Sequence, residues 1–138
     1  MIEKKEGIVI DATNAILGRL ASHVAKLLLS GKRVIIVNSE KALIIGNKKN
    51  ILEKYRKKRS LGRGSLKGPY FPRKPEAILR RTVRGMLPYK TSHGKEAFKR
   101  LKCYTSIPEK YINTAQKITA RKIKTVKYIT LEELSKLI

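Results

Sequence analysis

Arg80, Arg81 and Arg84 are spaced to fall on one side of a helix, which makes them the clearest chemical feature of this 138-residue chain. A guanidinium is a planar fork of donors that grips phosphate oxygens two at a time. Upstream, the run KYRKKRS (54–60) adds Arg56, Lys57, Lys58 and Arg59, and a Gly/Pro-rich link adds Arg63, Lys67, Arg73 and Lys74. A lone charge run is ordinarily a solvated helix end. This one continues for almost thirty residues into the arginine face, with Tyr70 and Phe71 in its middle. Aromatic rings and guanidinium planes stack on unpaired bases. Gly62, Gly64 and Gly68 let the backbone come close to a sugar-phosphate chain. Tyr70 and Phe71 suit two roles equally, stacking on bases or pinning the loop to the core. Downstream, His93 beside Lys90 and Lys95 suits either a phosphate contact or a helix start, and Lys95, Lys99 and Arg100 lie on the outward side of a short helix.

Composition points the same way. The chain has 33 Lys plus Arg against 10 Asp plus Glu, a net charge of +23. Self-repulsion of that size destabilises a compact state unless a polyanion neutralises it, and an enzyme for a neutral small molecule has no use for it. The excess is uneven, with 19 basic and 3 acidic residues between 46 and 104. That middle stretch is the expected polyanion face, and residues 1–45 read as scaffold. No helix-turn-helix, zinc-finger, basic-zipper or RNA-recognition signature is present. Long basic, glycine-rich excursions suit a structured RNA with irregular grooves better than a regular duplex.

Other chemistries find little support. Asp11 and Asn38 end two apolar runs, where open α/β sheets bind ligands. The intervening DATNAILGR matches neither a dinucleotide fingerprint nor a phosphate loop, so Asp11, Thr13 and Asn14 read as turn or N-cap residues. His23, His93 and Cys103 have no metal-ligand spacing, and neither a metal nor a cofactor is expected. Cys103, the only cysteine, reads as a small buried residue in a reducing, intracellular setting. Glu3 and Glu6 stand where the apolar core of a signal peptide would begin. The runs VIIV and ALII are too short to span a bilayer. No membrane partner and no small-molecule substrate are expected.

The elements that must position the basic residues follow from periodicity. IVI (8–10), ending at Asp11, predicts a buried strand. Leu17, Leu20, Ala21, Val24, Ala25 and Leu28 share one side of a helix closed by Gly31, and VIIV predicts a second strand. Together they have the length of a right-handed βαβ crossover, hence an α/β fold with a parallel sheet. KALIIGN continues as an extended piece. A helix over 48–58 buries Ile51, Leu52 and Tyr55. Another starts at Pro75 and runs through Leu87, with Leu79, Val83, Met86 and Leu87 inward. A short helix near His93 turns Ala97, Phe98 and Leu101 inward, and KCYT (102–105) predicts a strand. Residues 113–127 are weakly patterned. Thr130 and Glu133 have capping-box spacing for a terminal helix.

Three stretches resemble one family. IDATNAILGRLASHVAKLLLSGKRVIIVNSEKALIIGNK (10–48), GPYFPRKPEAILRRTVRGMLP (68–88) and YKTSHGKEAFKRLKCYTSIP (89–108) are similar to the universal large-subunit ribosomal protein thirteen family. The short GKR link and the GPYFPRKP loop resemble its archaeal and eukaryotic branch. The resemblance implies one domain over 1–138: a three-layer α/β/α fold with a small, mostly parallel four-stranded sheet and basic extensions. The extensions are a loop at about 59–75 and a C-terminal segment at about 109–138. It implies a non-catalytic structural protein of the cytoplasmic large subunit, bound to large-subunit ribosomal RNA and to neighbouring ribosomal proteins. It also implies that the basic positions between 56 and 100 face RNA, and Arg84, Gly85, Met86, Leu87 and Pro88 match the family's signature turn.

Overall fold

The computed structural model describes residues 7–61, 71–109, 116–117 and 127–138. Strand β1 (Ile8–Asp11) leads into helix α1 (Leu17–Leu29) and back to β2 (Val34–Val37), which lies parallel to β1 with Ile8 opposite Val34 and Asp11 opposite Val37. The six apolar positions of α1 named from the sequence are all buried. A left-handed Gly31 (φ 96°) ends the helix. The Gly31 amide donates to the Leu28 carbonyl and the Lys32 amide to Leu27, the paired bonds that satisfy the last carbonyls of a helix.

After β2, a single 3₁₀ turn (Ser39–Lys41) leads to β3 (Leu43–Ile45) and α2 (Lys48–Ser60), which Asn47 caps by accepting from the Lys49 amide. Helix α3 (Pro75–Gly85) is followed by α4 (Ser92–Lys99) and β4 (Leu101–Cys103). β4 lies parallel to β2, and the short β5 (Gln116–Lys117) lies parallel to β1, so the sheet runs β4-β2-β1-β5. β6 (Tyr128–Thr130) pairs antiparallel with β3, and α5 (Leu131–Leu137) closes the described chain. The α/β class and the small, mostly parallel sheet agree with expectation. Helices α1, α3 and α4 touch one another, and α3 also touches β4 and α5. Residues 110–115, between β4 and β5, lie outside the described residues, as does most of 113–127.

Several boundaries differ from the sequence reading: α2 runs on to Ser60 rather than 58, the strand predicted at 102–105 is Leu101–Cys103, and the ends of α3 and α4 shift. α3 stops at Gly85, so Met86 is not on its inner face but 43% exposed on the following turn, while Ile78, unassigned before, is fully buried beside Leu79 and Val83. The early stop has a local cause. The Met86 and Leu87 amides bond back only to Val83 and Arg84, a tightened last turn ahead of Pro88. Likewise α4 ends at Lys99, and Leu101 is the first residue of β4 rather than part of a helix face. At α5 the Thr130 hydroxyl accepts from the Glu133 amide, but the Glu133 carboxylate pairs with Lys48 instead of returning to Thr130. Half of the expected capping box is present.

Candidate nucleic-acid interface

The α3–α4 corner is built first by backbone constraints. Pro75 opens α3 with its fixed φ, Glu76 complements the positive helix end, and Ile78, Leu79 and Val83 turn one face to the core. Arg80, Arg81 and Arg84 therefore lie outward. Thr91 caps α4 by accepting from the Gly94 amide at 3.2 Å, and its hydroxyl donates to the Pro88 carbonyl at 2.8 Å. Gly94 has no alternative, because a Cβ there would stand 1.9 Å from the Pro88 oxygen. The signature turn and α4 are thereby held in direct backbone contact.

That corner opens a groove of about 500 Å³ lined by Pro72, Ala77, Arg80, Arg81, Arg84, Tyr89, Lys95, Phe98 and Lys99. The cations are held by rings. The Arg80 guanidinium lies 4.4 Å from the centroid of Phe98, Arg84 lies 4.4 Å from that of Tyr89, and Arg81 lies 5.5 Å from that of Phe71. A smaller concavity of about 390 Å³ continues past Arg80 and Lys99 to Lys102, Cys103 and Tyr104, and among the described residues Glu76 is the only acid bordering either space. Burial pushes the Cys103 thiol up to about 12, with Arg80 opposing and Glu76 reinforcing the shift. Cys103 is half-buried rather than fully buried as the sequence reading had it, and its raised pKa disfavours the reactive thiolate.

A second basic region has a different geometry. Arg56 donates to the Leu137 carbonyl (3.1 Å), Arg59 to Ile138 (2.8 Å) and Arg73 to Ser135 (3.0 Å), so three arginines from α2 and the α3 approach meet the last carbonyls of α5. Arg100 serves α1 in the same way, donating to the Leu28 carbonyl at 2.9 Å. Lys58 lies over Tyr55 and Phe71, and burial, then Lys54 and Arg81, holds its ammonium below the ordinary lysine range. Phe71 packs on Tyr55 with ring centroids 5.6 Å apart, which places it in the pinning role. Lys57, Lys74, Lys90 and His93 are exposed at the edges of these two regions. Arg63, Lys67 and Tyr70 lie outside the described residues.

Among the described residues the ion pairs within 4 Å are Lys48–Glu133 and Lys136–Glu132, and neither involves the groove. The sequence reading missed Lys102 and the rings that hold the arginines. Lys102 could have been found from strand alternation, since an inward Leu101 turns its neighbour outward. The turn around Asp11 is as expected: its carboxylate accepts from the Thr13 amide (2.9 Å), the Thr13 hydroxyl (2.5 Å) and the Asn38 side-chain amide (3.1 Å). Among the described residues no helix is long and apolar enough to cross a membrane.

Known proteins share this chain's sequence over most of its length. The profile of the family described as Ribosomal protein L13 matches residues 5–110. The Large ribosomal subunit protein uL13 of Methanocaldococcus jannaschii is 53% identical over 131 residues, covering 93% of this chain and 94% of the relative. That of Archaeoglobus fulgidus is 47% identical over 133 residues, covering 93% and 85%. That of Methanopyrus kandleri is 52% identical over 107 residues, covering 78% and 67%. With the signature turn, the arginine face and the parallel sheet in one chain, these matches lead to one conclusion: the protein belongs to the ribosomal protein L13 family.

Proposed function

We infer that this protein is a structural constituent of the large ribosomal subunit that binds and stabilises large-subunit ribosomal RNA during assembly and translation. The observation that carries the reading is the α3–α4 groove, where Arg80, Arg81, Arg84, Lys95 and Lys99 converge and, among the described residues, no carboxylate lines it. Such a surface neutralises phosphates without first breaking ion pairs of its own. Lys57, Lys74, Lys90 and His93 extend the contact, and Arg63 and Lys67 add to it. Arg56, Lys58, Arg59, Arg73 and Arg100 add to the contact and also serve the fold through the bonds and ring contacts described above. The whole chain acts as one domain in the cytoplasm, without catalysis, and touches neighbouring large-subunit proteins. The closed hydrogen bonding of Asp11 supports the non-catalytic reading, since the ligand-binding end of β1 is taken up by its own turn.

The test is the salt dependence of binding to large-subunit ribosomal RNA fragments beside an unrelated structured RNA of equal length. Preference for the ribosomal fragment, with affinity falling steeply as salt rises, supports a specific contact to many phosphates. Equal affinity for both RNAs would reduce the reading to generic polyanion binding.

A further inference from the structure

We propose that the groove between α3 and α4 receives a single unpaired RNA base, stacked on the outer face of the Arg80 guanidinium, with its flanking phosphates held by Lys95 and Lys99. The proposal rests on the ribosomal RNA reading above and narrows its target from RNA in general to an extruded nucleotide. Pro72, Ala77 and Phe98 give the groove apolar walls, and burying a bare phosphate against them costs its hydration, whereas the flat face of a base is suited to them. Arg80 is exposed, yet its guanidinium carbon already sits over the Phe98 ring, 4.4 Å from the centroid, so the group is held at the groove before any ligand arrives. Bases stack on guanidinium planes as they do on aromatic rings. A volume of about 500 Å³ lies within the range of small-ligand sites, about 300–1,000 Å³. A paired duplex keeps its bases inside and offers such a groove only backbone. The surrounding cations fit the charge of a nucleotide. An acidic peptide would satisfy them too, but would leave the ring-backed plane without a partner.

Short-wave ultraviolet irradiation of large subunits containing the full chain joins bases, not phosphates, to touching side chains. The expected product is a peptide from α3 or α4 carrying one nucleotide that is unpaired in the ribosomal RNA. Arg80→Lys keeps the charge and removes the plane. It should weaken binding to the large-subunit fragment roughly tenfold while leaving the dependence of affinity on salt unchanged. Phe98→Leu should match it, and because Arg80 is exposed the lysine variant reports even where the leucine variant folds poorly. Specific binding to the ribosomal fragment with no groove crosslink and unaltered Arg80→Lys affinity overturns the base site and leaves the ribosomal reading standing. A crosslink from the groove to an acidic segment of a neighbouring protein overturns it as well. Loss of any preference for ribosomal RNA removes the reading beneath both.

Discussion

The α3–α4 groove and the α2–α5 junction are equally basic in sequence, but their arginines do different work. At the junction, Arg56, Arg59 and Arg73 point donors at the carbonyls of Leu137, Ile138 and Ser135, satisfying the end of α5. At the groove, the guanidinium carbons of Arg80 and Arg84 sit over Phe98 and Tyr89, and that of Arg81 lies over Phe71. A carbonyl consumes a guanidinium's hydrogen-bonding edge, whereas a ring occupies only its face and leaves the edge for phosphate. The difference teaches that charge locates a polyanion surface and that the neighbours of each cation decide how much of it is available.

The comparison breaks most completely with the triple reversal Arg80→Glu, Arg81→Glu and Arg84→Glu. The fold should survive, because none of the three is buried, while incorporation into large subunits, read by sedimentation, should be abolished. Unfolding by circular dichroism would instead mark the face as part of the core. Gly94→Ala should follow, costing about 3 kcal/mol in denaturant unfolding, since its Cβ meets the Pro88 carbonyl and either α4 or the signature turn must move. Val83→Ala, at a fully buried position beneath the arginines, should cost about 1–3 kcal/mol and leave RNA affinity nearly intact once folded.

At the junction, Arg59→Gln sharpens the contrast. Losing the bond to the Ile138 carbonyl should lower stability by about 1 kcal/mol and reduce RNA affinity far less than Arg80→Glu alone. A larger loss of affinity than of stability would erase the distinction between the two regions. The smallest effect concerns Cys103. Its alkylation should be slow at neutral pH and keep accelerating roughly tenfold per pH unit, without a plateau below its pKa of about 12, because only the thiolate reacts. An ordinary thiol titration near pH 9 would show that the concavity beside Arg80 is open to water.

Much of this was legible in the residues themselves. The β1–α1–β2 unit is announced by three apolar runs, one of helical period and two of buried-strand type, and local sterics force each into its element. Pro75, Gly31 and Thr130 marked helix ends for equally local reasons. Misreadings arose where a helix end tightened early or where the deciding contact was distant. Met86 has the spacing of an inward residue, but α3 had already ended. Glu133 has capping-box spacing, but Lys48, eighty-five residues away in sequence, takes its carboxylate.

Sequence alone therefore determined the fold class and the size and placement of the positive charge, because net charge and periodicity are sums over residues that need no coordinates. Tertiary structure alone decided which cations are held by rings and which by carbonyls. A guanidinium's role depends on the group lying within about 3–6 Å of it. Chain distance does not encode that neighbour: Arg59 finds Ile138, and Arg80 finds Phe98, only after β2, β4 and the helices between them have packed.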